Sequence, residues 1–354
     1  MRRGVARFRI AVLSAVLTFG IIGASSAAEP GSTYPVGIRQ VEFTDAHYGP
    51  RTLSMAVFYP AVIDDSSAKP FVMPFFTRLT LYKDAEIAFD SDKLPLVMLS
   101  HGRGSTGLSY AWFAQTLAAH GYIVAAPYHW RANSYDSTVA YLANKLWQRP
   151  VDVSLDIDFL LSDPAWSKYI DPSRIGVAGH SQGGLTALWL GGAEVNRDKY
   201  LAFQQGWKNN QQIPAHLRDA LPLDPEPALK VKDARVKAVF AMAPGIIKVF
   251  GMDEDGLKQL DVPAYITVGA GDTQTPPKEN AEFAAKYIPH AELVVIPGRV
   301  DHEIFVNECD DEGKDEFPEA CKDAAGVDRA AIHDAVGKAA LKFFGDNLGN
   351  GDGK

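Results

Sequence analysis

Two stretches near the start of the chain alternate apolar and polar residues: Val36-Gly-Ile-Arg-Gln-Val-Glu-Phe43 and Leu53-Ser-Met-Ala-Val-Phe-Tyr59, separated by Tyr48-Gly49-Pro50. A period of two places alternate side chains on opposite faces, and the turn residues between the stretches predict an antiparallel strand pair. From residue 94 the pattern changes. Short runs that are apolar almost throughout, at 94–99, 122–126, 174–178, 236–243, 264–268 and 293–296, alternate with helical periodicity near 106–120, 150–162, 182–191, 277–287 and 327–346. Strands apolar on both faces belong inside a parallel sheet, and the helices between them cover its two faces. The prediction is an α/β fold with a mostly parallel central sheet, helices on both faces and an N-terminal antiparallel pair. In the helix at 150–162, Val151, Leu155 and Phe159 share one face while Asp152 and Asp156 share another. Residues 194–234 break the rhythm with Trp207, a polar run at 208–212 and Pro214, Pro222, Pro225 and Pro227. They read as an inserted segment, either covering a pocket or making a surface excursion.

Composition narrows the class. The 354 residues are 47% hydrophobic and 22% charged, enough to bury a large core and unlike disordered or fibrous chains. Arg2, Arg3, Arg7 and Arg9 precede an uncharged stretch from Ile10 to about Gly23, followed by Ala24-Ser-Ser-Ala-Ala28. This reads as a signal peptide cleaved after Ala28, leaving one domain over 29–354 that is exported to the periplasm or secreted. Four arginines and no acid would leave with residues 1–28, moving the formal charge from −8 to −12. Such a charge argues against nucleic acid as a partner, and no later segment is long enough to span a membrane. In an oxidising compartment Cys309 and Cys321 are expected to pair as a disulfide. Two thiols alone do not make a metal site, and the acidic segment 308–323 lacks a calcium-loop spacing.

The chemistry concentrates at Gly179-His-Ser181-Gln-Gly183, a G-x-S-x-G pattern. Such a pattern arises by chance in roughly one chain in eight of this composition, so its context carries the weight. A predicted strand runs into it and a predicted helix leaves it, so Ser181 would sit on a sharp turn beside a helix N-terminus. A serine hydroxyl is a poor nucleophile until a base takes its proton. The strand at 264–268 ends in Gly269-Ala-Gly-Asp272, and the strand at 293–296 is followed by Asp301-His302. Both loops fall at the sheet edge that carries Ser181, giving Asp272 and His302 as orienting acid and base, with Asp253 or Asp255 as the alternative acid. His180, His290 and His333 read as structural. The backbone N–H groups of Gln182 and of Arg103, in Ser100-His-Gly-Arg-Gly104, are expected to hold the oxyanion. After the strand at 122–126, Tyr128 and Trp130, with Tyr135, Tyr141 and Trp147 nearby, are candidates to line an acyl or aryl pocket or to pack beneath a loop.

Taken in order, Leu99-Ser-His-Gly-Arg-Gly104, Gly121-Tyr-Ile-Val-Ala-Ala-Pro127, Gly179-His-Ser-Gln-Gly-Gly184, Gly269-Ala-Gly-Asp272 and Asp301-His302 resemble the α/β-hydrolase superfamily. The chain is most similar to its dienelactone-hydrolase-like and platelet-activating-factor-acetylhydrolase-like branch. The resemblance implies a serine hydrolase of carboxylic esters, working without metal or organic cofactor on a small-molecule or lipid ester. Dienelactone hydrolases generally carry a cysteine where this chain has Ser181, which argues against a lactone. Within the fold, a phospholipase, acetylhydrolase or lactonase is the alternative; outside it, a binding protein with a vestigial triad. A bridge from Cys309 would begin seven residues past His302 and is expected to steady its loop.

Overall fold

The computed structural model describes residues 33–349 except 48–49, 65–68, 89–91, 141, 143–144, 212–213 and 220–229. The expected leader at 1–28 and residues Tyr48, Gly49 and Tyr141 therefore lie outside the described residues. The strands are β1 (Val36–Asp45), β2 (Arg51–Val62), β3 (Leu81–Lys83), β4 (Glu86–Ile87), β5 (Leu94–Ser100), β6 (Ile123–Tyr128), β7 (Ile170–His180), β8 (Val236–Met242), β9 (Ala264–Gly269) and β10 (Ala291–Ile296). The helices are α1 (Ala111–Ala118), α2 (Gln148–Ser162), α3 (Gln182–Gly191), α4 (Arg197–Asn209), α5 (Ala215–Asp219), α6 (Ile247–Phe250), α7 (Glu254–Leu257), α8 (Ala281–Tyr287), α9 (Asp311–Glu316), α10 (Pro318–Cys321) and α11 (Arg329–Leu348).

One sheet runs in the order β10-β9-β8-β7-β5-β6-β2-β1-β3, with β4 against β2. Every neighbour from β10 to β6 is parallel, and β2 is antiparallel to both β6 and β1. Parallel strands need crossovers, which α1, α2, α3, α6 with α7, and α8 supply in turn. The expected α/β architecture and N-terminal antiparallel pair are therefore present. Ser100 pairs with Gly179, His180 with Met242, Met242 with Thr267 and Gly269 with Ile296. This register keeps the carboxyl ends of five strands level, so the loops leaving them share one edge of the sheet.

Two elements depart from their sequence pattern for physical reasons. Strand β10 has a partner on one side only, and Val294 and Val295 stay partly exposed, whereas β8 and β9 are buried almost throughout. The polar stripe of α2 faces inward: Arg149, Asp152 and Asp156 are buried, while Val151, Leu155 and Phe159 are only half-buried. Arg51, buried at the start of β2, makes this possible by bridging Asp152 at 2.7 Å and Asp45 at 3.0 Å. Phe159 instead stacks on Phe43 with ring centroids 4.4 Å apart.

Within the irregular stretch at 194–234, the polar run conceals α4. Asn196 caps it by accepting from the N–H groups of Asp198 and Lys199. Tyr200 and Phe203 then pack edge-on against Phe250. Among the described residues no helix is long and apolar enough to cross a membrane.

Candidate active site

Ser181 stands between β7 and α3 with φ 56° and ψ −119°, a left-handed backbone that a residue with a Cβ adopts only under constraint. The constraint is close passage of the flanking chain. A Cβ at Gly179 would lie 2.3 Å from the Gly183 carbonyl oxygen, and one at Gly183 would lie 1.8 Å from that of Ser100. The Ser181 N–H donates to Met242 O at 2.9 Å, tying the turn to β8. Ser181, His302, Gln182 and Arg103 all line one cavity of about 330 Å³. Gln182 opens α3, and the first N–H groups of a helix have no acceptor within it.

The structure brings His302 and Asp272 together. The ring Nδ1 lies 2.7 Å from Asp272 Oδ2, and both side chains are buried. Asp272 also accepts from the N–H groups of Gln274 and Thr275 and from the Thr275 hydroxyl, at 2.9, 2.7 and 2.8 Å. Burial would push this carboxyl up; the hydrogen bond and charge of His302, followed by the Thr275 bonds, hold it below the usual carboxylate range. With Nδ1 engaged by the acid, Nε2 is the nitrogen left for chemistry on the cavity side. Thr275 escaped the sequence reading, although an acid followed three residues later by a threonine is a pattern for local capping of that acid.

The alternative acids are occupied elsewhere. Asp253 caps α7 and pairs with Lys199 at 3.0 Å, and Asp255 pairs with Lys258. Asp301 accepts from the His302 backbone N–H. His333 stacks on Trp112 and bonds to the Ile304 carbonyl, while His290 is exposed.

His180 ties the loops together. Its Nε2 lies 3.1 Å from the His302 carbonyl, which can only accept, so Nε2 carries the proton and Nδ1 accepts from the Tyr110 hydroxyl at 2.9 Å. Tyr110 in turn accepts from the Gly102 N–H at 3.3 Å. Burial, with His302 nearby, lowers the His180 pKa well below its usual value and keeps the ring neutral. A chain of hydrogen bonds therefore runs from the loop beside Arg103 to the residue bearing the candidate base.

Behind this loop lies a second polar cluster. Arg149 donates to the carbonyl oxygen of His101 and to Ser100 Oγ, and His129 Nε2 lies 2.8 Å from that hydroxyl. His129 Nδ1 faces Asp152 at 3.7 Å, too far for a hydrogen bond. Both carboxyl oxygens of Asp156 are buried without a hydrogen-bond partner. Burial and then the neighbouring Asp152 raise Asp156 well above the usual range, while burial, offset by Arg51, pushes Asp152 up to about 6.

The remaining expected residues lie apart from Ser181. Tyr128 borders a separate cavity with Gln40 and Tyr135, and Trp130 packs between Arg51 and Arg131. Neither lines the cavity that holds Ser181, and no described residue of 194–234 does so either. Cys309 and Cys321 form the expected disulfide, with Cα atoms 5.6 Å apart. Among the described residues, no group of three or more His, Cys, Asp or Glu is placed to hold a metal ion.

The sheet order and the serine turn are those of the α/β-hydrolase fold. Residues 71–149 match the family model of platelet-activating factor acetylhydrolase, isoform II. A ferulic acid esterase from Streptomyces cinnamoneus superposes with a TM-score of 0.62 at 21% identity, covering 91% of this chain and 92% of that one. As many as 951 solved chains match, so this likeness speaks to fold rather than substrate. No curated protein matches the sequence.

Proposed function

We propose that the protein is an exported serine hydrolase of carboxylic esters. The observation that most supports the reading is the buried 2.7 Å pair of His302 Nδ1 and Asp272, bordering the cavity that also takes in Ser181 on its strained turn. In this reading, His302 Nε2 takes the proton of Ser181 Oγ as that oxygen attacks the ester carbonyl. The N–H groups of Gln182 and Arg103 hold the oxyanion. The carbonyl–alkoxy bond breaks, His302 passes its proton to the leaving alcohol, and water then attacks the acyl-serine by the same route, releasing the acid. Asp272 keeps Nδ1 protonated and stabilises the imidazolium.

The acetylhydrolase family match and the ferulic acid esterase likeness support an ester as substrate. The disulfide and the leader-like residues 1–28 support export of a domain spanning 29–354, with 194–234 as its inserted segment. Ser181→Ala is expected to abolish hydrolysis of p-nitrophenyl acetate and labelling by a fluorophosphonate while the circular dichroism spectrum stays unchanged. Retained hydrolysis in that variant sinks the assignment. A wild-type serine that resists the fluorophosphonate would favour a binding protein instead.

A further inference from the structure

A second cavity, of about 690 Å³, adjoins the first and shares Ser105 and Glu303 with it. Its walls are largely apolar, with Phe71, Met73, Phe75 and Phe76 from one segment facing Phe317 and Ala320 from another. The volume lies inside the range of about 300–1,000 Å³ usual for ligand sites. Of the seven large apolar side chains left exposed at least in part among the described residues, Val72, Tyr135 and Phe317 border this cavity. Exposed apolar groups gathered at one opening, rather than scattered, mark a surface that something covers.

The walls are built rather than incidental. Phe75 has φ 70°, a conformation that a bulky residue keeps only where the surroundings impose it. Those surroundings are the disulfide segment. The Asp310 N–H donates to Phe75 O at 2.9 Å, the Thr77 N–H to Glu308 O at 2.8 Å, and Phe76 bridges to Cys309. A Cβ at Gly313 would lie 2.6 Å from Phe75 O, and Phe317 meets Phe75 edge-on at 5.4 Å. The Cys309–Cys321 crosslink thus holds one wall against the other.

We infer that this cavity receives the large apolar arm of a neutral ester whose carbonyl sits at Ser181. Continuity through Ser105 identifies the occupant, because an ester held at Ser181 reaches the second cavity without leaving the protein surface. Glu303, held by Gln274 at 3.0 Å, stands at the junction and disfavours an anionic arm. The inference rests on the esterase reading for its ester, but the cavity can be probed without turnover.

Two measurements separate the questions. For p-nitrophenyl esters from acetate to decanoate, kcat/KM is expected to rise by roughly fourfold per methylene until the cavity is filled. Phe317→Ala, which opens one wall, and Ala320→Trp, which fills the space, should each lower the decanoate-to-acetate ratio about tenfold. Val249→Ser, at an exposed apolar site elsewhere, should leave the ratio unchanged. In parallel, Nile red binding to the Ser181→Ala protein, displaced by decanol, should weaken in both cavity variants. An unchanged ratio together with unchanged Nile red binding overturns the inference while leaving the esterase reading intact. If the wild type cleaves no ester of the series, the esterase reading falls, and the cavity stands or falls on Nile red alone.

Discussion

Two buried carboxyl groups, Asp272 and Asp156, sit at opposite extremes of the same molecule's chemistry. Both are almost without solvent. Asp272 accepts from two backbone N–H groups, a hydroxyl and an imidazole, and is held below the usual carboxylate range. Asp156 has no hydrogen-bond partner and a like-charged neighbour, and is raised well above that range. Burial is common to both, so partners alone decide whether the group is an anion that can orient a histidine or a neutral acid that packs a helix.

Exchanging each carboxyl for its amide breaks the comparison most sharply. Asp272→Asn should lower kcat by roughly 10⁴-fold, since an amide no longer fixes the tautomer of His302 or stabilises its cation. Asp156→Asn should leave kcat unchanged, and a matching loss in both variants would show that the α2 cluster belongs to the reaction. Next in size, Arg51→Met removes the cation shared by Asp45 and Asp152 and should cost about 3–5 kcal/mol of stability in urea unfolding.

The two carboxyl sites should also answer pH in opposite directions. The contribution of Asp272, whose pKa is lowered on folding, is present above the ordinary carboxyl pKa and is lost as pH falls through its folded value. Asp152 and Asp156, whose pKa values are raised, contribute most below that ordinary value and lose their contribution as pH rises, for Asp152 through about 6. Asp156→Asn, which stays neutral, should therefore raise Tm by a few degrees at pH 8, on the order of 1–3 kcal/mol, and by much less at pH 4. Equal gains at both pH values would assign Asp156 an ordinary pKa. The smallest expected effect is that of Thr275→Val, which removes one hydrogen bond to Asp272 and should cost about fivefold in kcat/KM, restored by Thr275→Ser.

Much of this was legible from residues alone, for a reason particular to parallel sheets. Strands buried on both faces write unbroken apolar runs, and every loop at their carboxyl ends falls on one edge, so Ser181, Asp272 and His302 could be assigned to a common edge before any coordinate. The inward stripe of α2 was not legible in that way. An amphipathic pattern records which residues share a face, but the partner that draws Asp152 inward, Arg51, lies 101 residues away at the start of β2. The apolar cavity stayed hidden for a similar reason: Phe71–Phe76 shows no periodicity, and its significance comes from the disulfide segment laid against it. Thr275 was visible in sequence but needed the geometry of Asp272 to acquire a role.

The His180 ring has a consequence for how such a protein can change over time. Gly102, Tyr110, His180 and His302 are registered to one another through side-chain hydrogen bonds that bypass α4 and α5 entirely. Insertions or deletions in the chain between α3 and β8 would leave that registration intact. The stretch from 194 to 234 is therefore where the chain can change length at little risk to the arrangement around His302.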